Sequence, residues 1–574
     1  MEKIWLRQYP AGVPAEVASD RYPSLAALLD DAFERYRDRV AYRYLGRELR
    51  YGEVDQLAQA FAAWLLSTGL QRGDRVAIML PNLPQYPVAA AAILRAGLVV
   101  VNVNPLYTAR ELEHQLRDSG ARAIVVLENF GATLQQVLES LPLRQVVVAA
   151  AGDLLGPVRG RLVNHVVRHV RKQVPAFELP GSLRFADAIA AGRRLLPTGS
   201  PAVTPTVSPA AGPGAPGPDD IALLQYTGGT TGTSKGAVLL HRHLVANVLQ
   251  SQAWYEPALA RLAPGEQPVT VCALPLYHIF GFSSVMLLAA HGGGCCILIP
   301  DARDTDALLR TLRRQRFHAL PAVNTLFDAI ARHPDAARVD WSGLRLSLGG
   351  GMAVQPATAQ RWFEATGCPI CEGYGLSETS PSVACNPVDA TAFSGSVGLP
   401  LPNTEVKIID DEGREVEAGN AGEIAIRGPQ VMAGYWQRPD ETARAMTADG
   451  YLRSGDIGIQ DEHGALRIVD RKKDMILVGG FKVYPNEIEE LVTRLPGVLE
   501  CAAVAVADGA AGEAVRLIVV RSDESSGRPT EGEVREHCAT FLTGYKRPRR
   551  VEFSGPLPKS PVGKILRREL RDRP

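Results

Sequence analysis

The sequence lacks a net charge and lacks any long apolar run free of charged residues. Its 574 residues include 62 acidic and 62 basic side chains, so no overall field would draw it to nucleic acid. The best candidate for a membrane span, residues 88–103, contains Arg95 and is shorter than the roughly 18 uncharged residues expected. The N-terminus, Met-Glu-Lys-Ile-Trp, shows no signal peptide. These absences predict a cytoplasmic protein without a nucleic-acid partner, or one peripheral on the inner face of a membrane.

Cysteines are few, and their spacing is not that of a disulfide scaffold. Of the 8 cysteines, Cys368 and Cys371 form a Cys-Pro-Ile-Cys sequence within a strand-like segment. No second pair of this kind accompanies them. We interpret them as buried thiols rather than as metal ligands or a redox pair.

Lysine is scarce in this sequence, with 10 lysines against 52 arginines. Such a bias indicates that lysine remains where a compact, flexible ammonium group is needed. Seven of the lysines lie in segments that resemble functional motifs: Lys235, Lys472, Lys473, Lys482, Lys546, Lys559 and Lys564.

The length and the pattern of apolar residues predict two domains of unequal size. A chain of 574 residues is too long for a single core. The first 180 residues alternate between helix-like patterns such as 25–36 and strand-like patterns such as 75–80, which favours a layered α/β fold. A stretch rich in Pro, Ala, Gly and Ser, 197–218, predicts a mobile loop. We therefore expect an α/β protein with a large, multi-subdomain α/β domain at 1–470 and a smaller α+β domain at 471–574.

The segment 226–236 is the strongest functional signal in the chain. It reads Tyr-Thr-Gly-Gly-Thr-Thr-Gly-Thr-Ser-Lys-Gly and lies between two short strand-like runs. Glycines allow backbone N–H groups to converge on an anion, while the hydroxyls and Lys235 add further donors. It is not a Walker A loop, because Ser234 precedes the lysine instead of following it. The segment predicts a polyphosphate-binding loop.

This loop resembles the phosphate loop of the adenylate-forming superfamily, and the resemblance extends over nearly the whole chain, from Tyr9 to Leu570. Within that superfamily the sequence is most similar to bacterial long-chain-fatty-acid–CoA ligases. Other segments that carry the resemblance are 81–87 (PNLPQYP), 101–107 (VNVNPLY), 274–280 (LPLYHIF), 372–378 (EGYGLSE) and 558–564 (PKSPVGK). The resemblance implies activation of a fatty acid with ATP and Mg²⁺, transfer to coenzyme A, and a C-terminal lid that rotates between the two half-reactions.

The resemblance also implies a set of nucleotide-binding residues. Asp456 matches the ribose-binding aspartate, since one carboxylate can accept both vicinal hydroxyls, and Arg471 assists it. Glu378 would coordinate Mg²⁺ together with Thr227, because a carboxylate beside phosphates is repulsive unless a cation lies between them. The remaining expected nucleotide contacts are Tyr226, Gly228, Gly229, Thr230, Thr231, Gly232, Lys235, Gly351, Gly373, Tyr374 and Ser377.

Three further residues match catalytic or hinge positions of the family. Lys564, in a glycine-containing loop near the C-terminus, would neutralise charge on the α-phosphate and the attacking carboxylate. Lys473 matches the hinge position, and His278 matches the wall of the acyl site. The residues that hold the nucleotide part of coenzyme A cannot be identified from the sequence.

Residues 159–174 contain five basic side chains and no acidic one. The apolar residues Leu162, Val163, Val166, Val167, Val170 and Val174 recur at helical spacing, which predicts one apolar face. The opposite face would carry Arg161, Arg168, Arg171 and Lys172 among its polar residues. Such a helix can lie on an anionic membrane surface, or it can pack on the protein's own core.

Two alternatives to a long-chain ligase stay open at the level of sequence. One is a ligase of the same family for medium-chain or aryl acids. The other is a fatty-acid-binding or uptake protein without catalysis, against which the presence of Thr227, Glu378, Asp456 and Lys564 argues. The optimal chain length and the oligomeric state, with a homodimer as one option, are not encoded in any motif.

Overall fold

The structure is a computed structural model that describes residues 3–197, 215–227, 234–508, 512–522, 528–560, 563 and 565–571. Most of the predicted mobile loop, residues 198–214, lies outside the described residues, so that prediction stays a prediction.

The strands of the larger, N-terminal part are β1 (Val40–Tyr44), β2 (Arg47–Arg50), β3 (Arg75–Met79), β4 (Val99–Asn102), β5 (Ala123–Leu127), β6 (Gln145–Ala149), β7 (Leu183–Arg184), β8 (Ile221–Thr227), β9 (Lys235–Leu240), β10 (Val269–Cys272), β11 (Cys295–Leu298), β12 (Ala319–Ala322), β13 (Leu346–Gly349), β14 (Ile370–Gly375), β15 (Ser382–Cys385), β16 (Leu399–Pro400), β17 (Glu405–Ile409), β18 (Gly422–Arg427), β19 (Gly434–Tyr435), β20 (Leu452–Gln460) and β21 (Leu466–Arg471). Those of the C-terminal part are β22 (Ile476–Val478), β23 (Phe481–Val483), β24 (Val498–Asp508), β25 (Gly512–Arg521) and β26 (Arg550–Ser554).

The α-helices are α1 (Leu25–Arg35), α2 (Tyr51–Ser67), α3 (Gln85–Arg95), α4 (Ala109–Ser119), α5 (Gly131–Gln135), α6 (Pro157–His165), α7 (Phe185–Leu195), α8 (His241–Leu259), α9 (Leu288–His291), α10 (Thr305–Leu312), α11 (Asn324–Arg332), α12 (Pro356–Thr366), α13 (Pro439–Ala445), α14 (Pro485–Val492), α15 (Glu531–Phe541) and α16 (Arg567–Arg571).

Two large sheets with parallel centres form the N-terminal part. In the described residues one has nine strands in the order β16-β15-β14-β13-β12-β10-β11-β1-β2, and the other has eight in the order β19-β9-β8-β4-β3-β5-β6-β7. Helix α3 is buried along its whole length in the core shared by these layers. Ligands of open α/β sheets bind beyond the carboxyl ends of the parallel strands. The rule therefore predicts a ligand site near the residues that follow β8, β13 and β14.

Two smaller sheets complete the described fold. Strands β17, β18, β20 and β21 form an antiparallel sheet of four. In the C-terminal part β22 to β25 form an antiparallel arrangement to which β26 adds in parallel. Helices α14 and α15 cover this last sheet through a separate apolar core. The expected fold class, a large α/β domain followed by a smaller α+β domain, is confirmed.

Local patterns in the sequence placed several elements correctly. Helix α1 starts where the Ser24 hydroxyl accepts a hydrogen bond from the Ala27 N–H at 3.1 Å, which is a typical N-cap. The strand predicted at 75–80 is β3, which is one residue shorter than predicted. Cys368 and Cys371 are buried free thiols, as interpreted.

The prediction for the helix at 159–174 is wrong in its length and in its faces. Helix α6 begins at Pro157 and continues as a π-helical turn that ends at Val170. The wider π turn shifts the angular position of the residues that follow it. Arg168 therefore points inward and forms a bidentate ion pair with buried Glu128 at 2.7–3.0 Å. Of the residues predicted to form the apolar face, Leu162 and Val170 are 61% and 66% exposed, whereas Val163, Val166 and Val167 are half-buried, so the face does not pack on the core as a unit.

Candidate functional site

The candidate site is a cleft of about 1480 Å³ between the two parts of the chain. On the side of the large domain it is lined by Gly351 after β13, by β14, and by residues of β20 and β21. On the other side it is lined by α14 and by residues around Arg567 of α16. Its position beyond the carboxyl ends of β13 and β14 agrees with the rule for parallel sheets.

Tyr374, Asp456 and Arg471 form a connected group within this cleft. The Tyr374 hydroxyl donates to Asp456 Oδ2 at 2.8 Å, and Arg471 Nε lies 2.6 Å from Asp456 Oδ1. The register between β20 and β21 pairs Asp456 with Arg471, so the sheet itself holds the two side chains together. Burial and the nearby Asp456 carboxylate raise the pKa of Tyr374, which keeps its hydroxyl a donor. A carboxylate oxygen has two lone pairs, so Asp456 can accept further hydroxyl donors.

Gly351 and Gly373 line the cleft together with Tyr374. Gly351 has φ +79°, a left-handed conformation that favours glycine, and a Cβ there would approach only Val323, at 3.7 Å. Gly373 precedes Tyr374 in β14, and a Cβ there would make only ordinary contacts. Of these two glycines, Gly351 is the one with open space beside it.

Glu378 and Lys235 are linked through Tyr435. The Tyr435 hydroxyl donates to Glu378 Oε1 at 2.8 Å, and Lys235 Nζ lies 4.8 Å from the centre of the Tyr435 ring. Lys235 also forms an ion pair with Glu441. The end of the predicted phosphate loop and the predicted metal ligand therefore lie close together, although 143 positions separate them in the numbering of the chain.

The rest of the phosphate loop is only partly described. Gly228, Gly229, Thr230, Thr231 and Gly232 lie outside the described residues. Thr227 ends β8 opposite Lys235 in β9, so the two strands form the base of the loop. Tyr226 precedes Thr227 in β8, so its side chain lies on the opposite face of the sheet. There its hydroxyl donates to Asp118 Oδ2 at 2.7 Å, and the residue is buried.

His278 and Ser377 lie on loops next to the parallel strands. His278 follows β10, and its Nδ1 accepts a hydrogen bond from the Phe280 N–H at 3.3 Å. Burial lowers the pKa of His278 to about 4, so the ring is neutral near pH 7. Ser377 starts the short 3₁₀ turn after β14 that also carries Glu378.

Lys473 follows the last strand of the four-stranded sheet. Burial and the neighbouring Arg471 guanidinium lower the pKa of Lys473 to about 8. Lys564 lies outside the described residues, but the preceding Gly563 rests on the large domain. A Cβ at Gly563 would approach Thr325 Oγ1 to 2.6 Å. The C-terminal loop therefore reaches α11, at the edge of the cleft.

Two residues of the cleft region escaped the analysis of the sequence. Tyr435 connects Glu378 with Lys235, and its only local signal is the Gly-Tyr-Trp sequence that ends at Trp436. Glu372 begins the segment 372–378, but the sequence predicts no separate role for it. Its carboxyl group is buried in the cleft wall, where Oε1 accepts the Val354 N–H at 3.2 Å.

The Glu372 carboxyl group gives a testable pH dependence. Burial raises its pKa from the ordinary value of 4.5 to about 8. The folded protein then binds more protons than the unfolded chain between these two values, so its stability falls as the pH rises through that window. The variant Glu372→Gln has a side chain of similar shape that is neutral at every pH, so it removes this pH-dependent contribution to stability. We expect its gain in Tm over the parent protein to grow from about pH 6 to about pH 8, as measured by scanning calorimetry.

The control for this experiment is Glu364→Gln, which changes an exposed carboxylate on α12. Its difference in Tm from the parent protein is expected to stay small and nearly constant with pH. A gain for Glu372→Gln that does not change with pH would contradict a protonated Glu372.

Two protein-family models match most of the chain. Residues 29–436 match the AMP-binding enzyme family, and residues 487–564 match the C-terminal domain of AMP-binding enzymes. The second match ends at Lys564 and covers most of the smaller domain.

Individual relatives agree with the family match. The chain is 49% identical to a long-chain-fatty-acid–CoA ligase of Escherichia coli O157:H7 over 573 residues, which covers 100% of this chain and 98% of the relative. Among solved structures, ATP-bound MatB from Rhodopseudomonas palustris aligns with a TM-score of 0.78 at 28% identity, covering 95% of this chain and 98% of that one. The anthranilate CoA ligase AuaEII in complex with anthranoyl-AMP aligns with a TM-score of 0.81 at 26% identity, covering 96% and 97% of the two chains. The protein therefore belongs to the family of AMP-binding enzymes.

Proposed function

We propose that this protein activates long-chain fatty acids to acyl-CoA in two steps. The fatty acid carboxylate attacks the α-phosphorus of ATP, which forms acyl-AMP and releases pyrophosphate. The thiol of coenzyme A then attacks the acyl carbon, which forms acyl-CoA and releases AMP. The observation that carries the proposal is the cleft built around Tyr374, Asp456 and Arg471 in a chain 49% identical to a long-chain-fatty-acid–CoA ligase.

The nucleotide would be held mainly by the residues of this cleft. Asp456 would accept the two ribose hydroxyls, while Arg471 and Tyr374 each contact one oxygen of its carboxylate and hold it in place. The adenine would lie near the Tyr374 ring and Gly351, where a Cβ would meet only Val323, at 3.7 Å.

The donor set around Glu378 fits magnesium bound together with phosphates. Among the described residues no group of three or more His, Cys, Asp or Glu side chains could hold a metal alone. Mg²⁺ usually binds through one or two carboxylates plus substrate phosphates, which one glutamate and one hydroxyl can complete. Glu378 and Thr227 would hold it, with Tyr435 fixing the Glu378 carboxylate. When bound, Mg²⁺ would offset the negative charge of the triphosphate.

The acyl site would begin at His278 and Val323. A neutral His278 can lie at the carboxyl end of the fatty acid without placing a charge in an apolar wall. Val323 and Leu326 are buried apolar residues beside the cleft. An apolar tunnel stabilises each buried CH₂ group by about 0.8 kcal/mol, which favours long acyl chains.

The chain would divide between 470 and 471 into a large domain and a lid that rotates about Lys473. Lys564 would serve the adenylation step from the loop that rests near Thr325. Lys235 would contact the β- and γ-phosphates with the rest of the phosphate loop. A homodimer remains an expectation, and we assign no surface of this protein to a dimer contact.

A panel of acids tests this function and its closest alternative. Purified protein is assayed with ATP, Mg²⁺ and coenzyme A on octanoate, palmitate, oleate and benzoate, and the loss of free thiol is measured. We expect the highest kcat/KM for palmitate or oleate. A preference for benzoate would replace the proposed substrate by an aryl acid. The absence of turnover with every acid would favour a binding protein without catalysis.

We also propose that the surface of α6 and the turn after it contacts an anionic membrane. The described residues contain no helix with the length and apolar character needed to span a bilayer. On this surface Val158, Leu162 and Val170 are 81%, 61% and 66% exposed. Residues 154–177 contain no acidic side chain, and the exposed basic residues there include Arg161, Arg171 and Lys172. Exposed aliphatic groups among cations suit an anionic lipid surface.

Sedimentation with anionic liposomes at low and high salt tests the membrane contact. We expect the triple variant Arg161→Gln, Arg171→Gln, Lys172→Gln to lose salt-sensitive binding, while its activity on detergent-dispersed palmitate is unchanged. Arg168 is left intact, because it pairs with buried Glu128. The matched control carries glutamine at Arg117, Arg338 and Arg414, whose side chains are 55%, 69% and 74% exposed. Equal losses in both triple variants would mean that overall charge, not this surface, governs the binding.

A further inference from the structure

Two segments that carry the family resemblance, 81–87 and 101–107, contain none of the residues proposed to bind ATP or the fatty acid. Each segment contributes a buried asparagine, Asn82 and Asn102, which are 3% and 2% exposed. Burying an amide is costly unless its hydrogen bonds are made, so the partners of such a side chain show what it holds in place. Both asparagines connect to the His278 loop, residues 273–279, which joins β10 to a π-helical segment that begins at Phe280.

Asn82 holds the first half of the His278 loop. Its Nδ2 donates to the Cys272 and Leu274 carbonyls, at 2.9 Å each, and its Oδ1 accepts the Leu276 N–H at 2.8 Å. The two carbonyls can only accept and the N–H can only donate, so the orientation of the amide is fixed. Because Asn82 lies just before the buried helix α3, this half of the loop is tied to the core of the large domain.

Gln225 of β8 holds the second half of the loop. Its Nε2 donates to the Tyr277 carbonyl at 3.3 Å, while its Oε1 accepts a hydrogen bond from Asn102 Nδ2 at 3.1 Å. The Tyr277 carbonyl belongs to the peptide group that joins Tyr277 to His278. Gln225 is 4% exposed and lies in the strand that ends at Thr227, at the base of the phosphate loop. One buried side chain therefore links this strand to the peptide before His278.

A buried tyrosine of α3 sets the direction of this chain of hydrogen bonds. The Tyr86 hydroxyl donates to Asn102 Oδ1, and burial raises the pKa of Tyr86, so the hydroxyl keeps its proton. Asn102 then presents its NH₂ group to Gln225, and Gln225 presents its own NH₂ group to the Tyr277 carbonyl. Each donor thus faces an acceptor, from α3 to the loop. Neither amide can turn over without leaving a buried group unpaired.

We infer that Gln225 and Asn82 are positioning residues for the adenylation half-reaction, which hold the His278 loop so that the fatty acid carboxylate meets the α-phosphorus in line. The inference rests on the proposed function, in which His278 lies at the carboxyl end of the fatty acid. The reacting atoms must come within about 3–3.5 Å of each other, and a misplacement of about 1 Å can cost about 10²-fold in rate. Gln225 and Asn82 act through the loop, because both contact its backbone.

Gln225→Met tests the inference, because methionine keeps the length of the side chain and removes both hydrogen bonds. We expect the kcat of palmitate-dependent ATP–pyrophosphate exchange to fall about 3- to 10-fold, while the KM for ATP stays at the parent value. Asn82→Ala removes three hydrogen bonds to the loop, so its kcat is expected to fall further, by about 10- to 100-fold. An increase in the KM for ATP at the parent kcat in Gln225→Met would overturn the inference, since Gln225 would then act on the phosphate loop.

The same substitution in a His278→Ala background shows whether Gln225 acts through His278. Two residues that act through one group are not additive, so Gln225→Met is expected to lower kcat by less than about 2-fold in that background. A loss of the same size in both backgrounds would overturn the inference.

Gln85→Met is the matched control, since Gln85 is also buried and its Nε2 donates to the Ala150 carbonyl at 2.7 Å. Ala150 follows β6, and β4, β3 and β5 lie between β6 and β8 in the sheet. With all rates measured well below the Tm of each variant, this control is expected to keep the parent kcat. An equal fall of kcat in Gln85→Met and Gln225→Met would overturn the inference. A parent protein without acid-dependent exchange would instead refute the proposed function itself.

Discussion

Replacing Lys564 with alanine is expected to lower palmitate-dependent ATP–pyrophosphate exchange by about 10²–10³-fold, the usual cost of removing one group that stabilises charge in a transition state. In the adenylation step an anionic carboxylate approaches the anionic α-phosphate, and negative charge grows on the oxygens of that phosphate as the new bond forms. The loop that carries this lysine reaches the large domain at Thr325, as the position of Gly563 indicates. An ammonium group delivered to a cleft closed from water acts at low dielectric, where its effect on the barrier is large.

The second half-reaction separates this role from a general loss of structure. Lys564→Ala is expected to convert supplied palmitoyl-AMP and coenzyme A to palmitoyl-CoA at close to the parent rate. Lys559→Ala is the matched control in the same segment, because Lys559 forms an ion pair with Glu500 at 2.6 Å within the lid. Equal losses in the two half-reactions of Lys564→Ala would refute the assignment.

Replacing Asp456 with alanine is expected to raise the KM for ATP by about 10- to 100-fold, since hydrogen bonds to a charged group contribute roughly 1.5–3 kcal/mol. The variant loses the proposed acceptor of both ribose hydroxyls. It also leaves Arg471 and Tyr374 without the carboxylate that now joins them. The exchange rate as a function of ATP concentration, at saturating palmitate, gives the KM directly.

Tyr374→Phe is the control for the effect of Asp456 on its neighbours. It removes the hydroxyl that donates to Asp456 Oδ2 but keeps the ring and the carboxylate. We expect a smaller increase in the KM for ATP than in Asp456→Ala. A parent-like KM and kcat in Asp456→Ala would remove this residue from the nucleotide site.

The sequence predicted the parts of the site that depend on local motifs. Tyr374 and Asp456 were assigned from separate segments, and the structure brings them to within 2.8 Å of each other. Strands β14 and β20 place both residues at the same cleft, and their contacts with a nucleotide stay a prediction. Helix α1 and strand β3 were likewise predictable, since their capping and periodicity are local.

Features set by tertiary contacts were not predictable in this way. The inward position of Arg168 goes with its ion pair to buried Glu128, which lies 40 positions away in the chain. Tyr435 reaches Glu378 across 57 positions, with only a short aromatic sequence to mark it. The raised pKa of Glu372 follows from burial, which no local pattern of the sequence reports. The ion pairs of Arg567 and Arg571 with Asp474 are likewise not reported by any local pattern of the sequence.

The central claim is that ATP is cleaved between the α- and β-phosphates by a fatty acid, and one measurement tests it most directly. The protein is mixed in molar excess with ATP, Mg²⁺ and palmitate while coenzyme A is withheld, and the quenched products are identified by mass spectrometry. We predict palmitoyl-AMP and pyrophosphate in equal amounts, with conversion to palmitoyl-CoA and AMP when coenzyme A is added. The appearance of ADP and phosphate, or a product pattern that does not change when palmitate is omitted, would contradict the account.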